Sequence, residues 1–402
     1  MIWEAPIVDE TGVRREQIMI ENGRVVQRGD LGLTPDESWG DDHLLFPGFG
    51  DVHVHLREGQ EYKEDYQTGS NAALNGGVTF CCDMPNNPVP PVDAETLAAK
   101  QKKVPSGDVH IELYAALGPG TRPFGAKRYK GFLAHSTGPL FFSTLDEAEK
   151  VIRDYSGCRI TFHCECPQLL EAASGAVTHE EQRPEEAEVE AVRYVLRWVE
   201  EYGIRANVAH VSSVGALSLL QNQKDVTFEV TPHHLFFDTE NRTEFERGEL
   251  LKMNPPLRAP ATREALLEAF RNNKIPFLAT DHAPHTLEEK MGDNPPSGVP
   301  LLDTYGLFVT WLLKKARVAP EVVYQACCQR PAHFLRLNDR GHLRPGARAD
   351  AVVLDMGTSH KLRASELATK CGWSPFEGVV FPGRVDAVFV QGQALRRARA
   401  LV

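Results

Sequence analysis

His53 and His55 stand two residues apart in an apolar run. In a β-strand, side chains alternate faces, so residues at i and i+2 point the same way and can share one metal ion. Taken alone, the pair also fits a polar, solvated strand face. His163, His210 and Asp281, however, fall at the ends of further short apolar runs, and Lys130 lies within another. Imidazole and carboxylate are suitable ligands for first-row metals, and four histidines with one aspartate are enough for two zinc ions sharing a bridging group. Each histidine singly reads as a hydrogen-bonded residue on a barrel rim. Jointly, coincidence is the poorer explanation.

The elements that must position these groups follow a rhythm. Short β-rich runs at 44–56, 78–84, 109–117, 129–134, 159–164, 206–212, 226–232 and 276–281 alternate with helical stretches such as 144–155, 184–202 and 262–272. The helix over 184–202 carries Val189, Val192, Val195, Leu196 and Val199 at helical spacing. Eight β-α units predict an α/β fold, a (β/α)8 TIM barrel over residues 47–340, with catalytic groups at the carboxyl ends of its strands. The flanks read differently. Asn22-Gly23 between two strand-like runs signals a hairpin, and Ala351-Val352-Val353-Leu354 and Ala387-Val388-Phe389-Val390 read as short strands. Residues 1–46 and 341–402 are therefore expected to build one small β-sandwich from both termini.

Composition narrows the function. With 402 residues and a net charge of -11, the chain has ample material for a core and no basic stripe to neutralise phosphates, which argues against nucleic acid or an anionic membrane. A small-molecule substrate is the expectation. No apolar run approaches membrane-spanning length and the N-terminus lacks a leader pattern, so the sequence reads as a cytoplasmic protein. Eight cysteines, several adjacent (Cys81-Cys82, Cys327-Cys328, Cys164 with Cys166), suit reduced thiols packed as small hydrophobes rather than a disulfide framework. Cys164 and Cys166 flank Glu165 beside His163, but no second cysteine pair completes a thiolate zinc site.

Four segments together carry a resemblance: Pro47-Gly48-Phe49-Gly50-Asp51-Val52-His53-Val54-His55-Leu56-Arg57-Glu58, Cys82-Asp83-Met84-Pro85-Asn86, Asn254-Pro255-Pro256-Leu257-Arg258, and Thr280-Asp281-His282-Ala283-Pro284-His285-Thr286-Leu287-Glu288-Glu289-Lys290. In this order they resemble dihydroorotases of the amidohydrolase superfamily, over nearly the whole chain. The resemblance implies that His53, His55 and Asp281 hold one zinc and His163 and His210 the other. Lys130, carboxylated by carbon dioxide, would bridge them. An ammonium has no lone pair to give, whereas a carbamate is an anion with two oxygens. Some dihydroorotases bridge with aspartate instead, and none occurs between Lys130 and Leu145. Lys130 also reads, more plainly, as a rim lysine reaching solvent.

The implied chemistry is reversible ring opening of dihydroorotate to N-carbamoyl-L-aspartate in pyrimidine (UMP) biosynthesis, with Asp281 as the general base that passes a proton to the departing ring nitrogen. Arg57 supplies a planar fork for the substrate carboxylate. Asn86, Asn254 and His285 match residues that contact carboxylate or ring, and Ser297 and Gly298 match positions that offer backbone groups. Plainer readings stand beside these: Asn86 capping a turn, Asn254 ordering the Pro255-Pro256 loop, Arg57 paired with Glu58 or Glu61. Ser136-Thr137-Gly138 is suited to a flap. Three departures from the family pattern stand out: a loop one residue short at Gly59, Asn87 where threonine is common, and Leu301 and Asp303 in place of glycine and glutamate. Hydantoinase, dihydropyrimidinase and allantoinase would use the same metals, and an inactive subunit supporting aspartate transcarbamoylase is a rival of another kind. A homo-oligomer, a dimer, is expected, with transcarbamoylase association as a further partner.

Overall fold

The computed structural model describes residues 1–136 and 140–397. Eight parallel strand positions form the barrel: Phe49–Val54, Val78–Asp83, His110–Leu113 continued by Ala115–Leu117, Tyr129–Phe132, Arg159–His163, Arg205–Val208, Val226–Val230 and Phe277–Leu278. The third position is split because Tyr114 leaves one ladder for the next: residues before it pair with the second strand, those after it with the fourth. A parallel bridge between Val54 and His282 joins the last position to the first and closes the cylinder. Every residue of the first two strands is buried, as expected of parallel strands covered on both faces. Val52, Phe80, Cys82, Tyr114 and Phe277 fill the interior together with Phe334 and Leu335.

The strands are shorter at their carboxyl ends than the apolar runs suggested. His210, Asp281 and Arg57 have φ of 38°, 48° and 58°. Left-handed backbone cannot continue a ladder, and in residues other than glycine it costs energy that the surrounding structure must hold in place. The chemistry therefore begins where the ladders stop.

The expected strand over 44–56 is two strands. His43–Pro47 belongs to the sheet built from the termini and Phe49–Val54 to the barrel. Gly48 is the joint: its N–H donates to Asp350 O at 2.9 Å, and a Cβ there would lie 2.2 Å from Thr79 Oγ1. The helix over 184–202 is observed as Glu185–Tyr202, ended by Gly203 at φ 66°. Its buried face runs through Ala187, Ala191, Val192, Val195 and Trp198, with Leu196 and Val199 packed at its edge, so the expected Val192 and Val195 are joined by two small alanines that allow close approach.

The terminal strands interleave in one sheet. Ile2–Asp9, Gly12–Glu21, Arg24–Gly29 and His43–Pro47 continue into Ala351–Asp355, Arg384–Val390 and Gln393–Arg397. Asn22 and Gly23, at φ 50° and 74°, make the expected hairpin turn. Trp3 and Phe389 lie three strands apart in sheet order, yet their ring centroids are 4.5 Å apart. Strands are spaced about 4.8 Å, so the sheet must roll over its own core of Trp3, Ile18, Trp39, Val353 and Phe389. Between the strands Ala351–Asp355 and Arg384–Val390 the chain leaves this sheet, and residues 364–377 cross to the barrel mouth.

The tight joint yields a stability prediction. Gly48→Ala should destabilise the protein by about 1–3 kcal/mol, whereas Gly107→Ala, which meets nothing within 4 Å, should shift it by less than about 0.5 kcal/mol. Denaturant unfolding of the two variants checks this, and equal effects would remove the close-approach argument.

Candidate metal centre

The six residues singled out for metal ligation converge at the barrel mouth. His53 ends the first strand and His55 lies just past it, anchored by its own N–H to His282 O at 2.8 Å. Both present Nε2 to a single oxygen, Asp281 Oδ1, at 3.1 and 3.0 Å. Across the mouth, His163 Nδ1 lies 3.0 Å from His210 Nε2. Donor atoms of His53, His210 and Asp281 all lie within 4.8 Å of one another. Lys130 reaches in from the fourth strand fully buried, and among the described residues its Nζ has no hydrogen-bond partner.

The electrostatics suit cations. Burial opposes the charge on Asp281, but His53 and His55 outweigh it and hold the carboxyl well below the usual range. Burial, helped by neighbouring His163, pushes His210 well below the ordinary imidazole value. Burial likewise lowers Lys130 to about 8, against the pull of Glu229 and Asp281. The imidazoles and Asp281 face one another at 3.0–3.1 Å, while Lys130 Nζ and His210 Nδ1 are left without a partner among the described residues. An unpartnered buried polar group costs about 1–3 kcal/mol, so such a cluster fits a bound divalent metal better than it fits an empty core.

The outer nitrogens are held by residues the sequence reading passed over. Glu229 Oε2 lies 2.8 Å from His53 Nδ1 and its Oε1 accepts from Asn207. Glu165 Oε2 lies 2.6 Å from His163 Nε2 and is itself gripped by Arg183. Burial would raise Glu165, yet Arg183 and His163 bring it down to about 2. Such carboxylates fix the tautomer and aim of a ligating histidine. Glu229 could have been noticed as the one charge in the strand Val226–Val230. Glu165 was hidden by the cysteines beside it. All eight cysteines are free thiols; Cys164 donates to Phe162 O, Cys166 to Gln168 Oε1, and both pack in the hydrophobic core.

The substrate-side candidates divide. Asn86 Oδ1 lies 2.7 Å from His55 Nδ1, so this side chain orients His55 whatever else it touches. Arg57 is buried; its Nε donates to Pro284 O at 3.0 Å and its Nη2 lies 3.1 Å from His285 Nε2. Neither acid considered beside it is its partner: Glu58 pairs with Lys103, and Glu61 accepts from Gly59 N. Asn254 Oδ1 accepts from Ser297 Oγ at 3.0 Å, and its amide faces Ser136 Oγ. Gly298 donates its N–H to Lys252 O, and its carbonyl accepts from Lys290 Nζ. Ser136, Asn254 and Ser297 line an open cleft of about 480 Å³ with His135, Arg183 and Lys252. Thr137 and Gly138 lie outside the described residues.

The family departures have structural partners. Asn87 donates to Glu58 O at 2.9 Å and accepts from the buried Lys100 at 2.7 Å, which ties the short loop after Arg57 to the loop carrying Asn86. Lys100 also pairs with Asp83, whose other oxygen accepts from Leu56 N. Leu301 N points to His282 Nδ1 at 3.1 Å, and Asp303 accepts from Ala368 N and Thr369 N, fastening the C-terminal segment onto the barrel.

Comparison with known proteins agrees with this architecture. Residues 44–395 match the profile of the Amidohydrolase family. The chain belongs to the amidohydrolase family. Among its relatives, the dihydroorotase of Pyrococcus furiosus is 31% identical over 390 residues, covering 94% of this chain and 88% of that one. The dihydroorotase of Methanothermobacter thermautotrophicus is 33% identical over 404 residues, covering 94% and 90%. Among solved structures, the L-hydantoinase (dihydropyrimidinase) of Arthrobacter aurescens superposes with a TM-score of 0.90 at 24% identity, covering 100% of this chain and 97% of that one. That likeness is one of fold.

If Glu229 aims His53, Glu229→Gln should weaken metal affinity by about 10- to 100-fold. Competition with a chelator measures this, and unchanged affinity would show that His53 needs no carboxylate behind it.

Proposed function

We propose that this chain is a dihydroorotase that interconverts dihydroorotate and N-carbamoyl-L-aspartate for pyrimidine synthesis. The observation that carries the reading is Arg57. It is a buried guanidinium near enough to Asp281 to feel its charge, and among the described residues it forms no ion pair. Burial disfavours its charge, with only the longer-range pull of Asp281 and other acids to offset this. A buried cation of this kind is stabilised by an anionic ligand, and a planar fork matches a carboxylate. Dihydroorotate carries one; hydantoin, dihydrouracil and allantoin do not. The names of the relatives support the same substrate.

In this reading His53, His55 and Asp281 would hold one zinc ion, His163 and His210 a second, and a carboxylated Lys130 would join the two. Lowered to about 8, Lys130 has an accessible neutral amine, the form that adds carbon dioxide. The ions supply positive charge that polarises a carbonyl and lets water ionise near neutral pH. The chain's own groups do the rest. Arg57 and His285 seat the carboxylate and so fix the ring over Asp281. Asp281, kept ionised by two imidazoles, accepts the proton of the attacking water and gives it to the ring nitrogen as the amide bond breaks. Ring closure uses the same atoms in reverse. The division into 1–46, 47–340 and 341–402, a dimeric assembly, a cytoplasmic setting and contact with aspartate transcarbamoylase belong to the same proposal. Among the described residues, no helix is long and apolar enough to cross a membrane. An inactive subunit is the weaker reading, because all six ligand positions are filled and brought together.

Assayed side by side with dihydroorotate, hydantoin, dihydrouracil and allantoin, the zinc-loaded protein should turn over dihydroorotate best; ready opening of hydantoin with none of dihydroorotate would overturn the assignment. Arg57→Met should lower kcat/KM for dihydroorotate by about 100-fold, as expected for losing a charge-assisted pair. Lys130→Ala should lose metal and activity together, and retention of both would mean that the bridging group is something else.

A further inference from the structure

His285 is surrounded by more donors than its ring can accept from. Nδ1 lies 3.1 Å from Lys63 Nζ, and Nε2 lies 3.1 Å from Arg57 Nη2 and 3.2 Å from Ser297 O. Burial, together with Arg57 and Lys63, pushes its basicity far below the ordinary imidazole value, so the ring is neutral. A neutral imidazole has one N–H and one lone pair. The Lys63 ammonium, ion-paired with Glu289 at 3.0 Å, can only donate. With the lone pair on Nδ1, Lys63 is satisfied and Nε2–H donates to Ser297 O: two bonds. With the lone pair on Nε2, only Arg57 is satisfied, an N–H faces an ammonium, and a lone pair faces a carbonyl. Glu289 Oε2, at 3.6 Å from Nδ1, is too distant to rescue that arrangement.

We propose that Lys63 is a positioning residue that holds His285 as its Nε2–H tautomer, so that its single N–H, which donates to Ser297 O in the free protein, lies beside Arg57 and can transfer to one anionic group of the substrate. In the free protein Arg57 Nη2 then faces another donor and gains nothing, so its hydrogen-bonding capacity is kept for a ligand. Identifying that group as the carboxylate of dihydroorotate rests on the function proposed above. Lys63 is only 6% exposed, and its setting is imposed from outside its loop. Its neighbour Glu64 is fixed by His282, Thr369 and Lys370 N, while Trp373 Nε1 donates to His285 O at 2.8 Å. The C-terminal segment thus sets both partners at once.

Nitrogen-15 NMR of histidine-labelled full-length protein reads the tautomer directly, with His285→Asn identifying the signal. The wild type should show the Nε2–H pattern, Lys63→Met should admit the Nδ1–H form, and Lys63→Arg, again a pure donor, should restore Nε2–H. In parallel, Lys63→Met should raise KM for dihydroorotate about tenfold with kcat within about twofold, a split that general destabilisation would not produce. A wild-type Nδ1–H signal overturns the proposal, even if Lys63→Met fails to fold. So does a Lys63→Met protein with tautomer and KM unchanged. If the wild type does not turn over dihydroorotate while the tautomer responds as stated, the substrate reading fails and the role of Lys63 stands.

Discussion

The structure depends on keeping charge-bearing side chains in a dry barrel mouth where few of them can be satisfied by one another. Asp281 Oδ1 receives two imidazoles, and His163 faces His210 nitrogen to nitrogen. Lys130 Nζ has no hydrogen-bond partner among the described residues and lies over the Phe132 ring. Withdrawn from water, such groups raise the free energy of the folded state unless each is oriented and the set as a whole has something to hold. The surrounding construction answers the first need: Glu229, Asn86 and Glu165 each occupy the outer nitrogen of one histidine.

The barrel alone does not complete the arrangement. Residues 364–377 leave the terminal sheet, and their Thr369, Lys370 and Trp373 reach Glu64, Asp65 and the backbone of His285. Asp303 fastens the same segment from the barrel side. The rolled sheet and the barrel mouth are thereby coupled through the buried bonds of Thr369 and Trp373 and the exposed pair Lys370–Asp65. The histidine face of the site relies on Glu229 within its strand and on Glu165 just past the strand that ends at His163. The face around Arg57 and His285 relies on lysines: Lys100 holds Asn87, which ties down the loop after Arg57, Lys290 donates to three carbonyls around Gly298, and Lys63 addresses His285. Lysine suits that task, since a buried ammonium offers three donors and no acceptor.

Much of this was legible beforehand. The alternation of short apolar runs with helical stretches is a local property, and it was enough for eight barrel strands, the Asn22-Gly23 hairpin and the union of the two termini. Strand ends were less legible. His210, Asp281 and Arg57 extend apolar runs in sequence, but each has left-handed backbone that nothing in the run announces. Gly48 was equally opaque: nothing local reveals that Thr79 will lie against it.

The sequence by itself determined the barrel class and the six candidate ligands, because side-chain alternation and strand order place i and i+2 histidines and strand-end groups on one rim whatever the details. Only the tertiary structure decided who stands behind them. Glu229 to His53, Asn86 to His55, Lys63 to His285 and Trp373 to the barrel are pairings between residues that are mostly remote in the chain, made by closing the cylinder and folding the C-terminal segment across it. Burial then gives those pairings their strength, and burial belongs to the folded molecule.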